Sequence, residues 1–229
     1  EHEVLVLRTT QEMHQRGDWV VPHFNDAPRL NKPPMNYWLT GVVATLSGHG
    51  QHIAPWHGRL ISAMSGIGVA LLIMVVGAQL YAPRAAWYGA GLFVTSAGYF
   101  TYAHDARPEL LYSLFCFMGL SCFVASLNKK PTGKLPLVYM MWISYGLAIL
   151  TKGPQIPMMF LLATVLFILF VQGQGVRALT SIQPFSGMTI MCILAASWWI
   201  LLEHRLTADQ FSTSQTLPRS AYLLSSCTT

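Results

Sequence analysis

The stretch "LISAMSGIGVALLIMVVGAQLY", Leu60 to Tyr81, carries no charged side chain over a length that matches the ~20 residues needed to cross a bilayer core. A core helix of a soluble protein would keep a polar face, and this run has none. Working outward, similar runs lie at Ala85 to Ala103, Leu110 to Leu127, Leu135 to Leu150, Ile156 to Val171 and Gly187 to Leu202. The whole chain is 53% hydrophobic and only 10% charged, against roughly 25% charged in ordinary soluble domains. The expected fold is all-α, a polytopic transmembrane helix bundle.

Short loops make the chain alternate sides, so its charges can be sorted. One side receives "APRA", "NKKPTGK" and "QGQGVRALTSIQP", with Arg84, Lys129, Lys130, Lys134 and Arg177 and no acid or histidine. The positive-inside rule makes that side cytoplasmic. The other side receives residues 1–57, the loop "HDARPE", the corner "TKGP" and the tail from Glu203, and with them every Asp, Glu and His. Titratable side chains gathered on one face point to a functional face. A pore or transporter would instead bury charge at mid-membrane in discontinuous helices, and the runs carry none there.

Residues 1–57 are expected to form an outer loop with two juxtamembrane, interfacial helices. "VLVLRTTQEMHQRG" reads as the first, with Gly17 as its stop. "MNYWLTGVVATL", Met35 to Leu46, reads as the second, ending at Gly48, with Tyr37 and Trp38 suited to the interface. Between them "RLNKPP" sets Lys32 before two prolines that read as a helix start with Asn31 as N-cap. A lysine there faces the positive end of the helix dipole, so something negative is expected to join it. Residues 58–202 hold the six expected spans and 203–229 begin a further outer segment. An outer loop with no span before it predicts a preceding helix, and the tail predicts a continuation, so the chain reads as a fragment.

Cys116, Cys122 and Cys192 fall inside expected spans, Cys227 lies near the end, and no pairing framework appears. The net charge of +5 fits sidedness and phosphate or lipid contacts, not nucleic acid, since no basic stripe with interleaved aromatics is present. His49, His52, His57 and His104 read as surface-loop histidines; no companion ligands fix a metal site.

The ordered motifs "TTQEMHQRGDWVVPHFNDAPRLNKPPMNYWLTG", "HIAPWHGRLISAM", "HDARPELLYSLF", "LAILTKGP" and "SWWI" resemble the GT-C membrane glycosyltransferases, in particular the aminoarabinose (lipid A) transferase and protein mannosyltransferase-like group. The resemblance runs from Glu1 to about Leu202. It implies a multi-pass enzyme of the bacterial inner membrane, with no cofactor and no metal. Such an enzyme takes a sugar from a polyprenyl phosphate and passes it, at the periplasmic face, to a lipid or protein acceptor. That chemistry needs a carboxylate to take the acceptor's proton and cations to hold the departing phosphate.

The family's acidic pair, counted back from Met13, falls on His2 and Glu3, so a histidine stands where the first acid is usual. Glu3 and Glu1 are left as candidate bases, with Glu3 preferred because Glu1 stands at the first position. Negative charge at a helix start also suits the dipole without any catalytic role. Glu109 matches the second outer acid, though a carboxylate after Pro108 is also ordinary capping. The resemblance puts Lys32, Lys152 and Arg107 at the donor phosphate, and Asp105 and Tyr37 in the substrate vicinity. Lys32 could otherwise snorkel to lipid phosphates, and Lys152 could simply suit a helix C-terminus. Arg205 and Arg219 could add phosphate contacts. A lipid-linked sugar transporter or flippase, and a non-catalytic membrane subunit, are the alternatives.

Overall fold

A computed structural model describes residues 2–49, 52–127, 129, 131–171 and 176–205. Glu1, Arg219 and Cys227 lie outside the described residues, as does most of the expected final segment.

Helix α1, His2–Arg16, stops at Gly17, whose φ of 65° favours glycine. Its inner face buries Val6, Thr9, Thr10 and Met13. A short antiparallel hairpin follows, β1 at His23–Phe24 and β2 at Ala27–Pro28. Asn25 and Asp26 at its tip both have positive φ, as a type I′ turn requires. Glu12 of α1 accepts the N–H groups of both turn residues, at 2.9 and 3.2 Å, and Arg16 pairs with Asp26. This hairpin was not legible in the turn-rich "NDAPRLNKPP".

Helix α2, Met35–Leu46, ends before Gly48 at φ 77°, as expected. Its start corrects the expected cap. Pro34, not Asn31, is the N-cap, and the Trp38 N–H bonds its carbonyl at 2.9 Å. Pro34 disfavours the helical region for Pro33, so no helical turn can begin at Asn31. Lys32 therefore lies in the run leading to α2 and not inside its first turn.

Helix α3, Pro55–Leu80, then crosses the bundle. The second expected span is interrupted: α4, Pro83–Val94, and α5, Ala97–Ala103, are separated at Thr95 and Ser96. The Ser96 hydroxyl caps α5 by accepting the Tyr99 N–H at 3.2 Å, while Thr95 Oγ1 donates back to Gly91 O at 2.8 Å. Next come α6, Glu109–Leu127, α7, Pro131–Lys152, and α8, Gln155–Leu166, which passes into a π-helical turn over Phe167–Val171. A 3₁₀ segment, Val176–Ile182, leads to α9, Pro184–Arg205. Among the described residues, four helical stretches are long and apolar enough to cross a membrane, at Pro55–Leu80, Glu109–Leu127, Gly133–Lys152 and Leu179–Arg205, with Gln155–Phe170 shorter.

The centre of the bundle is α6 and α7, of which 50% and 44% are buried, against 22% for the α3 and final stretches. Large apolar side chains such as Leu71, Leu92, Phe170 and Phe185 stay exposed, as lipid-facing positions would be. Phe123, Val138, Met141, Trp142, Tyr145, Ile168, Ile182 and Met191 form the main core. Gly119 lets the Tyr145 ring approach so closely that an added Cβ would stand 2.4 Å from Cε1.

The described part of the first 57 residues docks on one end of this bundle. Trp198 Nε1 of α9 donates to Val20 O at 2.8 Å, and Trp38 Nε1 donates to Trp19 O at 2.7 Å. His57, expected on the surface, is fully buried. Its Nδ1 accepts the Ala54 N–H at 2.9 Å, closing the start of α3, and its Nε2 meets Ser47 Oγ at 3.1 Å, beyond α2. The ring is a joint between two helices, which is why it is buried.

Gly119→Val should lower the thermal stability of the protein in detergent by about 1–3 kcal/mol through overpacking against Tyr145. Gly91→Val, with nothing within 4 Å of the added Cβ, should change it little; thermal unfolding by intrinsic fluorescence checks both.

Candidate functional site: a cationic cavity at one end of the bundle

Where the docked segment meets the helix ends, His2, Val6, Arg29, Lys32, Tyr37, Arg107, Pro108 and Glu109 line a cavity. Each lining group is fixed by a different element. His2 and Val6 come from α1, Tyr37 from the buried face of α2, and Glu109 from the first position of α6. Arg29 leaves β2 with its N–H on Pro22 O at 2.7 Å. Arg107 and Pro108 come from the loop between α5 and α6, which Ser62 of α3 holds by donating to Arg107 O at 3.1 Å.

Lys152 enters through Glu109, its Nζ donating to Oε1 at 3.0 Å. The corner that carries it is clamped: the Tyr112 hydroxyl donates to Gly153 O at 2.9 Å and accepts the Ile156 N–H at 3.1 Å. Gly153, at φ 118°, allows the chain to turn from α7 into α8. Sequence reasoning named Lys152 but missed Tyr112, because nothing in a lone tyrosine on an apolar helix shows which carbonyl lies across from it.

The carboxylates differ in their commitments. Asp105 pairs with Arg107, whose guanidinium also lies 5.9 Å from the Tyr102 ring centroid. One oxygen of Glu109 meets Lys152, while Oε2 is buried with no hydrogen-bond partner. Glu3 does not line the cavity; Arg59 of α3 grips both its oxygens, at 2.7 and 2.9 Å. That hydrogen-bonded guanidinium, against the opposing pull of burial, holds the Glu3 carboxyl below its ordinary value of 4.5, with the Ala106 backbone N–H helping. Arg59 was not singled out from the sequence, since its partner lies 56 positions away.

The cations are less evenly matched. Burial pushes the Lys32 ammonium below its ordinary value of 10.5; Glu109 opposes this, and Arg29, Lys152 and Arg107 add to it. Burial likewise raises the Tyr37 phenol, against a hydrogen bond from Arg29. Of the expected site residues, Lys32, Arg107, Glu109, Tyr37 and, through Glu109, Lys152 share one cavity. Asp105 sits beside it on Arg107, Glu3 is paired with Arg59 and neither lines it, and Glu1 lies outside the described residues.

A bundle of apolar helices with cations from separate segments gathered at one cavity defines an integral membrane protein with a cation-lined cavity. Residues 31–200 match the family described as dolichyl-phosphate-mannose-protein mannosyltransferase, and the chain belongs to that family. It is 25% identical over 208 residues to the undecaprenyl phosphate-alpha-4-amino-4-deoxy-L-arabinose arabinosyl transferase of Pectobacterium atrosepticum, covering 90% of this chain and 36% of that one. An uncharacterized protein of Aquifex aeolicus is 24% identical over 213 residues, covering 92% of this chain and 40% of its own. Among solved structures, ArnT from Cupriavidus metallidurans bound to undecaprenyl phosphate superposes with a TM-score of 0.80 at 22% identity, over 90% of this chain and 37% of that one. The likeness shows the fold, an all-α GT-C type bundle. The chain spans about 40% of the length of the relatives it matches.

Because Arg59 lowers the Glu3 pKa, the pair stabilises the fold fully above the ordinary carboxyl value and fades as pH falls through the lower, folded one. Glu3→Gln should cost about 1 kcal/mol or less at neutral pH. Melting curves of variant and parent should converge in strong acid.

Proposed function

We propose that this chain carries the donor-phosphate side of a glycosyltransferase site that moves a sugar from a polyprenyl phosphate to a lipid or protein acceptor at the outer face of the membrane. The observation that carries the reading is the convergence of Lys32, Arg107 and the Glu109–Lys152 pair, from three separate segments, on one cavity. The family and the named function of the Pectobacterium relative support a polyprenyl-linked donor. Positive charge concentrated in the loops at the opposite end supports the outer, periplasmic placement.

In the proposed inverting displacement, the acceptor oxygen attacks the anomeric carbon and the bond from that carbon to the phosphate oxygen breaks, its electron pair staying on the phosphate. Lys32 and Arg107 hold that phosphate as charge develops, where donors already in place cost no reorganisation. The acceptor's proton needs a carboxylate with a free oxygen. Both Glu3 oxygens are held by Arg59 and its pKa is lowered, which weakens it as a base. Glu109 lines the cavity and its Oε2 has no hydrogen-bond partner, so Glu109 takes the proton, and the Glu3–Arg59 pair positions α1 against α3.

The test is transfer from a radiolabelled polyprenyl-phosphate sugar by the purified protein. Glu109→Gln should lower kcat by about 10²–10⁴-fold, the usual worth of a general base, and Lys152→Ala should reduce transfer as well. Glu3→Gln should retain most activity. Full activity in both the Glu109 and Lys152 variants would sink the reading; loss in Glu3→Gln alone would return the base to Glu3.

A further inference from the structure

We propose that Arg29 is a further ligand for the donor phosphate, beside Lys32 and Arg107, and that with Lys32 it matches the cavity to the dianionic polyprenyl monophosphate that leaves and not to the monoanionic phosphodiester that enters. This rests on the function proposed above. It concerns a residue that the motifs carrying the family resemblance did not single out.

The charges at the cavity can be paired off. Arg107 is neutralised by Asp105, and Lys152 by Glu109. Arg29 and Lys32 then make no ion pair within 4.0 Å among the described residues, although both line the cavity and Glu109 acts on Lys32 from farther off. Arg29 Nε is buried and makes no hydrogen bond, a costly state for a guanidinium unless a ligand completes it. Lys32 lines the same cavity, its ammonium lowered chiefly by burial and further by the neighbouring Arg29, Lys152 and Arg107, against the pull of Glu109.

The placement of Arg29 is built in. Glu12 and Arg16 of α1 fix the turn of the hairpin, β2 delivers the arginine, and its guanidinium lies 5.8 Å from the centroid of the Phe24 ring on β1. A guanidinium already held beside the Phe24 ring and hydrogen-bonded to Tyr37 loses less freedom on meeting a ligand than a free one.

The chemistry asks for such a pair. Before transfer the phosphate is a diester with one negative charge. When its bond to the sugar breaks and the acceptor's proton passes to Glu109, the phosphate becomes a monoester with two. An added cation gains more from the second charge than from the first, so Arg29 favours the state in which the bond is broken.

The test is binding to the purified protein in detergent of a short-chain isoprenyl phosphate and of its methyl diester, with ³¹P NMR following the monoester's second ionisation. In the parent protein the bound monoester should titrate below the ~6 of a free phosphate monoester. Arg29→Gln should weaken monoester binding about tenfold or more, weaken the diester by no more than about threefold, and return the phosphate titration toward its free value. Arg29→Lys should recover most of the effect, and unchanged melting should show that the hairpin is intact. His2, which also lines the cavity, is removed as a second titrating group by repeating the titration in His2→Gln, and the Arg29 difference should persist. Equal loss for both ligands, or no loss for either, would overturn the proposal, as would inorganic phosphate binding as tightly as the isoprenyl ester. If the parent protein bound neither ester, the donor-phosphate reading itself would fail. If Lys32→Gln abolished monoester binding while Arg29→Gln did nothing, only the role of Arg29 would fall.

Discussion

The site depends on one small contact, the Tyr112 hydroxyl held between Gly153 O and the Ile156 N–H. It joins α6 to the corner where α7 turns into α8, and these are the ends that carry Glu109 and Lys152. Without it, the Lys152–Glu109 pair would be two half-exposed side chains meeting across a loop, a contact of little worth. With the backbone clamped, both groups are presented from the most deeply buried part of the bundle. The rigidity of the α6–α7 core thereby reaches the cavity, and Gly119 under Tyr145 and the Trp142 bond to Ile182 O belong to the same packed unit.

The transmembrane class and most helix limits were legible because they follow from local rules. Uncharged length marks a span, and Gly17, Gly48 and Gly153 stop helices at positive φ. The misreadings share a different cause. The break at Thr95 and Ser96 is a choice by two hydroxyls to bond their own backbone, invisible to a hydropathy average. The cap assigned to Asn31 overlooked the effect of Pro34 on Pro33. The hairpin was hidden because its tip is completed by Glu12, more than ten residues upstream.

The candidate site was legible as a list of residues and not as a set of partners. Spacing and resemblance named Lys32, Lys152, Glu109, Arg107 and Asp105. Which carboxylate oxygen lacks a partner is a property of pairing, and Arg59 on both oxygens of Glu3 and Lys152 on one oxygen of Glu109 are visible only in three dimensions. Arg29, Arg59 and Tyr112 left no local signature: each gains its meaning from a partner or a neighbour on another segment.

The position of Lys32 remained awkward in the sequence, a cation leading into a helix N-terminus, and the fold makes it more so. Pro34 caps α2 without a side-chain acceptor, burial depresses the ammonium, and Arg29, Lys152 and Arg107 repel it, with Glu109 alone opposing. A half-buried cation without an ion-pair partner costs stability, though less than a fully buried one. With Arg29 and Lys32 both on one cavity and neither in an ion pair among the described residues, the free state is short of negative charge there, as the proposed phosphate site requires. On the proposed reading, an arriving anion offsets that cost, and offsets it most fully when it carries its second charge.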